Sequence, residues 1–257
     1  MSELTHPAPI SDPELDIVIP VFNEGAGILD CLRALRENLT TPFRVLICYD
    51  FDEDDTLTAI NGADLGGMRV EFVKNPGRGP HRAITTGFQA STAPAVRMYP
   101  ADDDYNAGIV DRMMACFRDG ADIVCASRFM PGGGGLEGCP VMKAAIVRVA
   151  DFLLVHFAAM PTHDATNGFR LFSRRVLDTI EIESHLGFTY SIELMVKAHR
   201  LGWRIDQVPA NWFERPDKKS RFRLLKWVPA YLPWFFYAFA TTWLRRPAAT
   251  VRTRPGA

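Results

Sequence analysis

Several features that mark other protein classes are missing from this sequence of 257 residues. Its five cysteines include no Cys-x-x-Cys pair, which disfavours a zinc site or a disulfide framework and favours a reducing compartment. Residues 1–13 lack a basic stretch followed by an apolar one, so they do not have the pattern of a signal peptide. We therefore expect a cytoplasmic protein.

Two common nucleotide-binding signatures are also absent. The run Gly77-Arg78-Gly79 lacks the G-x-G-x-x-G spacing, and the four glycines at 132–135 are not followed by Lys and Ser or Thr. Neither run is therefore a dinucleotide fingerprint or a P-loop. The four glycines are expected to form a mobile lid or linker.

The net charge of −1 conceals a gradient along the chain. Residues 215–257 contain ten basic residues and only one acid, Asp217, so this end carries a net charge of +9 and the preceding part is acidic. Such asymmetry indicates an anionic partner, which could be a phosphate-bearing ligand, a membrane surface or nucleic acid.

Short apolar runs alternate with amphipathic stretches along most of the chain. With 47% hydrophobic residues, this length favours one large folded domain. The alternation predicts a doubly wound, mostly parallel α/β sheet, in which ligands collect at the carboxyl ends of the strands. The predicted strands are Leu15–Val21, Phe43–Tyr49, Met68–Val73, Ala95–Tyr99 and Ile123–Ala126. The predicted helices are Gly27–Asn38, Thr56–Ile60, His81–Ser91, Ile109–Arg118, Val141–Met160 and Tyr190–Leu201.

An acidic turn follows the fourth predicted strand. Asp102, Asp103 and Asp104 repel one another unless solvent, a cation or a basic partner absorbs their charge. Asp102 and Asp104 can point the same way, and Asn106 adds a third oxygen on that side. Such oxygens suit Mg²⁺ or Mn²⁺, which would in turn hold a diphosphate. The alternative is an acidic surface turn that caps the helix beginning near Gly108.

Six landmarks in a fixed order carry a resemblance to a known family. They are Pro20-Val21-Phe22-Asn23-Glu24, Asp50 with Asp54-Asp55-Thr56, Asp102-x-Asp104, Ser127-Arg128, the stretch 164–170 (DATNGFR) and Arg215 with Ser220-Arg221. From about Leu15 to Arg221 the chain resembles family 2 glycosyltransferases, and more narrowly the dolichyl- or polyprenyl-phosphate mannose synthase branch. The resemblance implies a GT-A-like fold with a Rossmann-like nucleotide-binding half, and hexosyltransferase activity.

The resemblance also assigns roles to residues. It places the nucleotide-sugar donor at Pro20, Phe22, Glu24, Asp50, Asp102 and Asp103. It gives Asp102, Asp104 and Asn106 as ligands of Mg²⁺ or Mn²⁺, and Asp164, Arg128 and Arg170 as catalytic residues. It assigns the phosphates of the acceptor to Arg215, Ser220 and Arg221. Two departures from the family pattern are the extra Asp103, which could shift the ligand register by one, and Tyr49 where an aspartate pair is usual.

The acceptor decides what chemistry is required. A phosphate monoester is largely ionised near pH 7 and needs positioning by arginines and charge neutralisation rather than a base. A hydroxyl acceptor would need a carboxylate such as Asp164 to accept its proton. Direct in-line attack would invert the anomeric centre.

We expect a polyprenyl-phosphate or related acceptor. The alternatives are a soluble hydroxyl acceptor, a sugar-phosphate nucleotidyltransferase, and a nucleotide-sugar-binding protein without turnover.

An uncharged aromatic segment occupies the basic end of the chain. Residues 227–244 carry basic flanks and contain Pro229 and Pro233, which would disturb a membrane-spanning helix. This composition favours a segment lying at the headgroup boundary of the cytoplasmic membrane face. The alternative is an aromatic helix that packs on the catalytic domain or forms a homo-oligomer surface.

The sequence thus divides into a flexible start at 1–14, a glycosyltransferase domain at 15–215 and a basic, aromatic tail at 216–257, with no nucleic-acid partner expected.

Overall fold

The computed structural model describes residues 12–136, 138–139, 141–211 and 224–256. Within these residues, seven strands form one sheet: β1 (Leu15–Pro20), β2 (Phe43–Tyr49), β3 (Val70–Lys74), β4 (Ala95–Met98), β5 (Ile123–Ser127), β6 (Arg170–Ser173) and β7 (Ile205–Pro209). Eight helices surround it: α1 (Ile28–Asn38), α2 (Asp55–Asn61), α3 (Pro80–Ala90), α4 (Val110–Arg118), α5 (Val141–His156), α6 (Arg174–Thr179), α7 (Thr189–Arg200) and α8 (Leu224–Thr242).

The sheet is mixed and has the strand order β3-β2-β1-β4-β6-β5-β7. All neighbouring strands are parallel except β6, which runs antiparallel to both β4 and β5. The predicted α/β class and mostly parallel sheet are therefore confirmed. The predicted strands from Leu15 to Ala126 correspond to β1–β5, whereas β6 and β7 are not predicted from the sequence.

Helices cover both faces of the sheet, which explains why its central strands read as continuous apolar runs. One core cluster joins the sheet to α1, α2 and α4 through residues such as Leu32, Ile60 and Met113. The other joins it to α3 and α7 through Ile84 and Leu194. With both faces covered, the strand ends are left as the place where polar groups collect.

One buried ion pair lies within the strands themselves. Asp16 of β1 stands in register with Arg44 of β2 and is completely buried. Arg44 donates from Nε and Nη2 to the two carboxylate oxygens of Asp16, at 2.8 Å each. Burial works against the charged carboxylate, but the hydrogen bonds from Arg44 and from the backbone of Ala93 and Thr92 prevail and lower the pKa of Asp16.

Helix α3 approaches the sheet unusually closely at Gly87. A Cβ at this position would lie 2.4 Å from Val18 Cγ1 and 2.7 Å from Cys48 Sγ. Only a residue without a side chain allows this spacing. The close approach lets Ile84 and Phe88 reach the core on the same side of the sheet.

The aromatic segment forms α8, which packs on α7 and α5. Ala238 is fully buried, and Trp234 and Phe235 are half-buried against the core. Leu232 and Phe236 are exposed. The packing alternative is thus realised on one face of the helix. Among the described residues, no helix is long and apolar enough to cross a membrane.

The residues after α8 return to the domain. Thr253 forms a β-bridge with Ile180, and Arg254 N donates to Thr179 O at 2.9 Å. The described part of the predicted tail therefore packs on the same body as the sheet. Residues 1–11 of the predicted flexible start lie outside the described residues.

A buried charge cluster joins α7 to these last segments. Lys197 is completely buried and pairs with Glu193 and Glu183, at 2.7 Å in each case. Its Nζ lies 5.1 Å from the ring centroid of Trp234 in α8, and Arg252 pairs with Glu183 at 3.0 Å. These contacts link the interior of α7 to the end of the chain.

Candidate active site

The loop after β1 is held by the start of α2. Asn23 has a positive φ of 52°, and its N–H donates to Asp54 Oδ2 at 3.1 Å. The next two backbone N–H groups, of Glu24 and Gly25, donate to Thr56 Oγ1 at 3.0 Å and to Asp55 Oδ1 at 2.9 Å. The sequence landmark Asp54-Asp55-Thr56 therefore supports the predicted donor loop from Pro20 to Glu24. Asp54 also caps α2 through the N–H of Thr56.

A pair of aromatic rings, one exposed and one half-buried, lies at the same edge of the sheet. Phe22 is 54% exposed, and its ring meets that of Phe51 edge-on, with centroids 5.6 Å apart. Exposed aromatic rings provide a surface on which a nucleobase can stack. Phe51 follows Asp50 directly, so aromatic and acidic groups lie side by side at the ends of β1 and β2.

Asp50 connects the ends of β2 and β3. Its carboxylate accepts hydrogen bonds from Asn75 Nδ2 at 2.7 Å and from Gly79 N at 2.8 Å. Gly79 has a φ of 88°, a conformation that favours glycine, and stands directly before α3. Asp50 thereby fixes the Gly77-Arg78-Gly79 loop beside the aromatic pair. The carboxylate of Asp50 is half-buried. It lies at the edge of the sheet where the resemblance to family 2 glycosyltransferases predicts that the donor binds.

Within the acidic turn after β4, the three aspartates differ in their surroundings. Asp103 accepts hydrogen bonds from the N–H groups of Tyr105 and Asn106 at 3.0 Å each and from Asn106 Nδ2 at 2.8 Å. Asp103 thus holds the turn together, while Asp102 is exposed and Asp104 half-buried on either side of it. Burial and then the three nearby carboxylates raise the pKa of the Cys31 thiol beneath the turn.

Few candidate metal ligands lie near this turn. In the part of the chain that the structure describes, no three His, Cys, Asp or Glu side chains are arranged to hold a metal ion. The predicted donors at the turn are the carboxylates of Asp102 and Asp104 and the side-chain oxygen of Asn106. Mg²⁺ characteristically binds one or two carboxylates together with substrate phosphates. The turn therefore fits a cation that shares its coordination with a diphosphate.

Arg128, just after β5, forms a two-point ion pair with Asp164. Its Nε donates to Asp164 Oδ2 at 2.6 Å, and its Nη2 donates to Oδ1 at 2.7 Å. Asp164 also accepts from the backbone N–H groups of Arg128 and Asn167 and is completely buried. The pair therefore fixes the guanidinium, since bidentate contacts restrict its orientation. In this arrangement Asp164 supports Arg128 and does not face solvent.

The glycine run after β5 packs over Arg128. Gly135 N donates to Arg128 O at 3.1 Å, and Gly134 N donates to Ala210 O at 3.1 Å. A Cβ on Gly133 would lie 2.6 Å from Arg128 O. These backbone contacts attach the glycine run, predicted from the sequence to be a lid or linker, to the ends of β5 and β7.

The structure buries Arg170, as it buries Arg128 and Asp164, and directs its side chain towards α7. Arg170 begins β6 and is buried, with its Nη1 donating to Ser191 Oγ at 2.6 Å and its Nη2 to Ala165 O at 2.5 Å. The reason is that the predicted loop continues into a strand, which carries the side chain towards α7. Arg170 thus ties the 164–170 loop to α7. The predicted acceptor residues Arg215, Ser220 and Arg221 lie outside the described residues.

Sequence reasoning missed Asp151 of α5. This side chain is 3% exposed and accepts hydrogen bonds from both the N–H and the hydroxyl of Thr166, at 3.0 Å each. Burial and then the charge of Asp164 raise its pKa to about 7, although Arg128 and Thr166 oppose the shift. The available signal was that Asp151 is the only acid in a helix whose other residues are apolar or basic.

The strand order explains which predicted residues meet. The parallel strands β1, β2 and β4 are neighbours, so the Pro20–Glu24 loop, Asp50 and the acidic turn share one edge of the sheet. Arg128 follows β5, which β6 separates from β4, so two strand spacings of about 5 Å each lie between these strands. A nucleoside diphosphate spanning the edge could reach from the aromatic pair past the acidic turn towards Arg128.

The sequence profile of Glycosyl transferase family 2 matches residues 16–181. An uncharacterized glycosyltransferase of Mycobacterium tuberculosis is 28% identical over 205 residues, which cover 80% of this chain and 88% of that protein. A dolichyl-phosphate hexose transferase of Haloferax volcanii is 27% identical over 206 residues, which cover 79% of this chain and 84% of that protein.

A solved structure resembles the fold. Glucosyl-3-phosphoglycerate synthase from Mycobacterium tuberculosis, in complex with Mn²⁺, uridine diphosphate and glucosyl-3-phosphoglycerate, aligns with a TM-score of 0.61 and 18% identity. The alignment covers 89% of this chain and 79% of that one, and it confirms the predicted GT-A-like architecture. Since the family profile covers more than half of the sequence, the chain belongs to glycosyl transferase family 2 and is a glycosyltransferase.

Proposed function

We propose that this glycosyltransferase moves a hexose, with inversion, from a nucleoside-diphosphate sugar to a polyprenyl phosphate or a related phosphate-bearing lipid. We choose a phosphate acceptor because of the environment of Asp164. This carboxylate accepts four hydrogen bonds and is completely buried, so it is poorly placed to accept a proton from a hydroxyl. A phosphate acceptor needs no such base.

The donor lies, in this proposal, along the shared edge of β1, β2 and β4. Phe22 and Phe51 provide the stacking surface for the base, and Asp50 is held beside them by Asn75 and Gly79. The crystallised neighbour with the same fold binds uridine diphosphate, which supports a nucleoside diphosphate as the donor's leaving group.

Asp102, Asp104 and Asn106 would hold Mg²⁺ or Mn²⁺ together with oxygens of the diphosphate. When bound, the cation neutralises the charge that develops on the departing nucleoside diphosphate. Because Asp103 is engaged in holding the turn, the register with Asp102 and Asp104 as ligands is favoured over a shift by one. Complexes of the structural neighbour with Mn²⁺ and with Mg²⁺ support this choice of metals.

Arg128 supplies the fixed positive charge for phosphate. Its ion pair with Asp164 sets the guanidinium before any ligand arrives, so little conformational freedom is lost on binding. An acceptor phosphate held there would attack the anomeric carbon from the side opposite the leaving diphosphate, which inverts the configuration. The phosphate oxygen is the nucleophile and carries no proton to be removed.

The lipid acceptor also calls for contact with a membrane surface, which we place at the cytoplasmic face. Leu232, Phe236, Trp243 and Leu244 are exposed on and just after α8, followed by the exposed Arg245-Arg246. Trp243 Nε1 donates to Phe157 O at 2.6 Å, so this surface adjoins the exposed Phe157 and Phe152 near the end of α5. Apolar side chains with basic neighbours suit insertion at the headgroup boundary.

The test is a transfer assay. Purified protein is incubated with a panel of nucleoside-diphosphate hexoses and Mn²⁺, with polyprenyl phosphate in one arm and soluble hydroxyl compounds, including 3-phosphoglycerate, in the other. We expect metal-dependent transfer to the lipid phosphate and an anomeric configuration opposite to that of the donor. Transfer confined to a hydroxyl compound would contradict the proposed acceptor.

A further inference from the structure

A chain of hydrogen bonds links the interior of α5 to the guanidinium of Arg128. Asp151 Oδ2 accepts from Thr166 Oγ1 at 3.0 Å, and Asp151 Oδ1 accepts from Thr166 N at 3.0 Å. Thr166 Oγ1 in turn accepts from Arg128 Nη2 at 3.3 Å. Asp151 therefore fixes Thr166 by two contacts, and Thr166 is one of the groups that orient Arg128.

Several charged or titratable groups face Asp151. Arg128 and Asp164 come from the loops after β5 and before β6, and their electrostatic effects on Asp151 are opposite. Arg148 and His156 of α5 and His163 of the following loop line the same open pocket as Asp151. Helix α8 also packs on α5, and its sequence carries a single charged residue, Lys226. Through the pocket Asp151 can exchange protons with solvent, although little of it is exposed.

The protonation state of Asp151 decides the charge of the inner cluster. Arg128 and Asp164 cancel each other, so the three residues together carry −1 when Asp151 is ionised and are neutral when it is protonated. Burial and Asp164 raise the pKa of Asp151 to about 7, so both states are populated near neutrality. An anion brought to Arg128 is repelled by the ionised state, and the two events are therefore coupled.

We propose that Asp151 is a positioning residue for the anion site at Arg128 and that it takes up a proton when an anion binds there. This rests on the proposed function only in assigning phosphate binding to Arg128. The proton comes from solvent and adds to a carboxylate oxygen of Asp151. The resulting acid can donate to Thr166 Oγ1, so the link to Arg128 is retained while the opposing charge is removed.

Titration calorimetry with sulfate, without added metal, tests the coupling. Sulfate keeps its double negative charge throughout the range, so any dependence on pH comes from the protein. Measured in two buffers of different ionisation enthalpy at about pH 7, the wild type should take up a substantial fraction of one proton per sulfate bound. Its affinity should be roughly tenfold higher at about pH 5.5 than at about pH 8.5, which corresponds to a shift of one pKa unit.

Asp151→Asn keeps the shape of the side chain and removes its charge. We expect this variant to bind sulfate with nearly the same affinity at both pH values and to take up no proton. Asp178→Asn, at an exposed position of α6, is the matched control and should behave as the wild type. Thr166→Val is the second variant, should Asp151→Asn fail to fold. It removes the hydroxyl between Asp151 and Arg128 and should weaken sulfate binding at every pH, whereas Thr166→Ser should restore it.

Arg128→Gln distinguishes a failure of the anion site from a failure of the role of Asp151. If this variant loses sulfate binding but the wild type takes up no proton, the anion site stands and the role of Asp151 is refuted. If Arg128→Gln binds sulfate as well as the wild type, phosphate binding at Arg128 fails, and the inference fails with it. A large loss of turnover in Asp151→Asn at all pH values, with unchanged sulfate affinity, would also overturn it by indicating a catalytic base.

Discussion

Two carboxylates of the site, Asp103 and Asp164, already accept several hydrogen bonds within the protein. Both were assigned ligand-facing roles from the sequence, where an aspartate at the right place looks the same whether it faces a substrate or supports a neighbour. The structure separates these cases, because it shows how many hydrogen bonds each carboxylate already accepts within the protein. We propose that Asp102 and Asp104, on either side of Asp103, contact the cation.

Asp104→Asn should weaken Mn²⁺-dependent binding of a nucleoside diphosphate by at least roughly tenfold, because one of two ligand carboxylates loses its charge. The fold should be unaffected, since Asp104 is half-buried at a surface turn. Calorimetry with Mn²⁺ and uridine or guanosine diphosphate measures the effect. Asp30→Asn, on the exposed side of α1, is the control. If Asp104→Asn and the wild type bind the nucleoside diphosphate with the same Mn²⁺-dependent affinity, Asp104 is not a metal ligand.

Asp164→Asn should lower both stability and turnover. The change leaves Arg128 as a buried cation without its counter-charge, and breaking a buried pair typically costs about 3–5 kcal/mol. Turnover should fall because the guanidinium is no longer fixed. Urea unfolding and steady-state kinetics measure the two effects. A variant of wild-type stability that has nevertheless lost turnover would identify Asp164 as a base and favour a hydroxyl acceptor.

Among the helices and strands, the sequence predicts best where the apolar pattern is long. Strands β1 to β5 follow apolar runs and agree with the structure to within two residues. Strand β6 has only four residues, begins with Arg170 and inserts antiparallel between β4 and β5, so its pairing depends on distant parts of the chain. For the same reason the sequence could not show that Arg170 is buried.

The close packing of α3 could not be predicted from sequence either, because a glycine inside a helical pattern has several explanations. Gly87→Ala should destabilise the protein by about 1–3 kcal/mol, since the added methyl group would overlap Val18 and Cys48. Urea unfolding measures the loss. Gly108→Ala, where nothing lies within 4 Å of the added carbon, is the control. A neutral Gly87→Ala would mean that α3 can move away from the sheet without cost.

At the scale of the whole molecule, residues 224–256 of the basic and aromatic end fold back on the domain and leave a second face exposed. Composition correctly singled out this segment, but composition cannot say which side of a helix is buried. Two outcomes that looked exclusive in the sequence, packing on the domain and contact with a membrane, are compatible in the structure. Trp234 and Phe235 pack inward, whereas Leu232 and Phe236 remain available.

Phe236→Glu should reduce binding to anionic vesicles roughly tenfold or more, because it replaces an apolar side chain that is 63% exposed with a charged one. Stability should hardly change. Co-sedimentation with vesicles of anionic and of neutral lipid measures the partitioning. Phe72→Glu, on the edge strand β3 at the other end of the sheet, is the control. If both variants sediment as the wild type does, the exposed face of α8 does not contact the membrane.

The buried Lys197 also constrains how the protein is made. Its surroundings include Trp234, and its partner Glu183 pairs with Arg252, so the ring and that arginine come from parts of the chain synthesised more than 30 residues later. Helix α7 therefore leaves the ribosome with one side uncovered. Before α8 emerges, the face of α7 that α8 covers in the folded enzyme is accessible to proteases and chaperones.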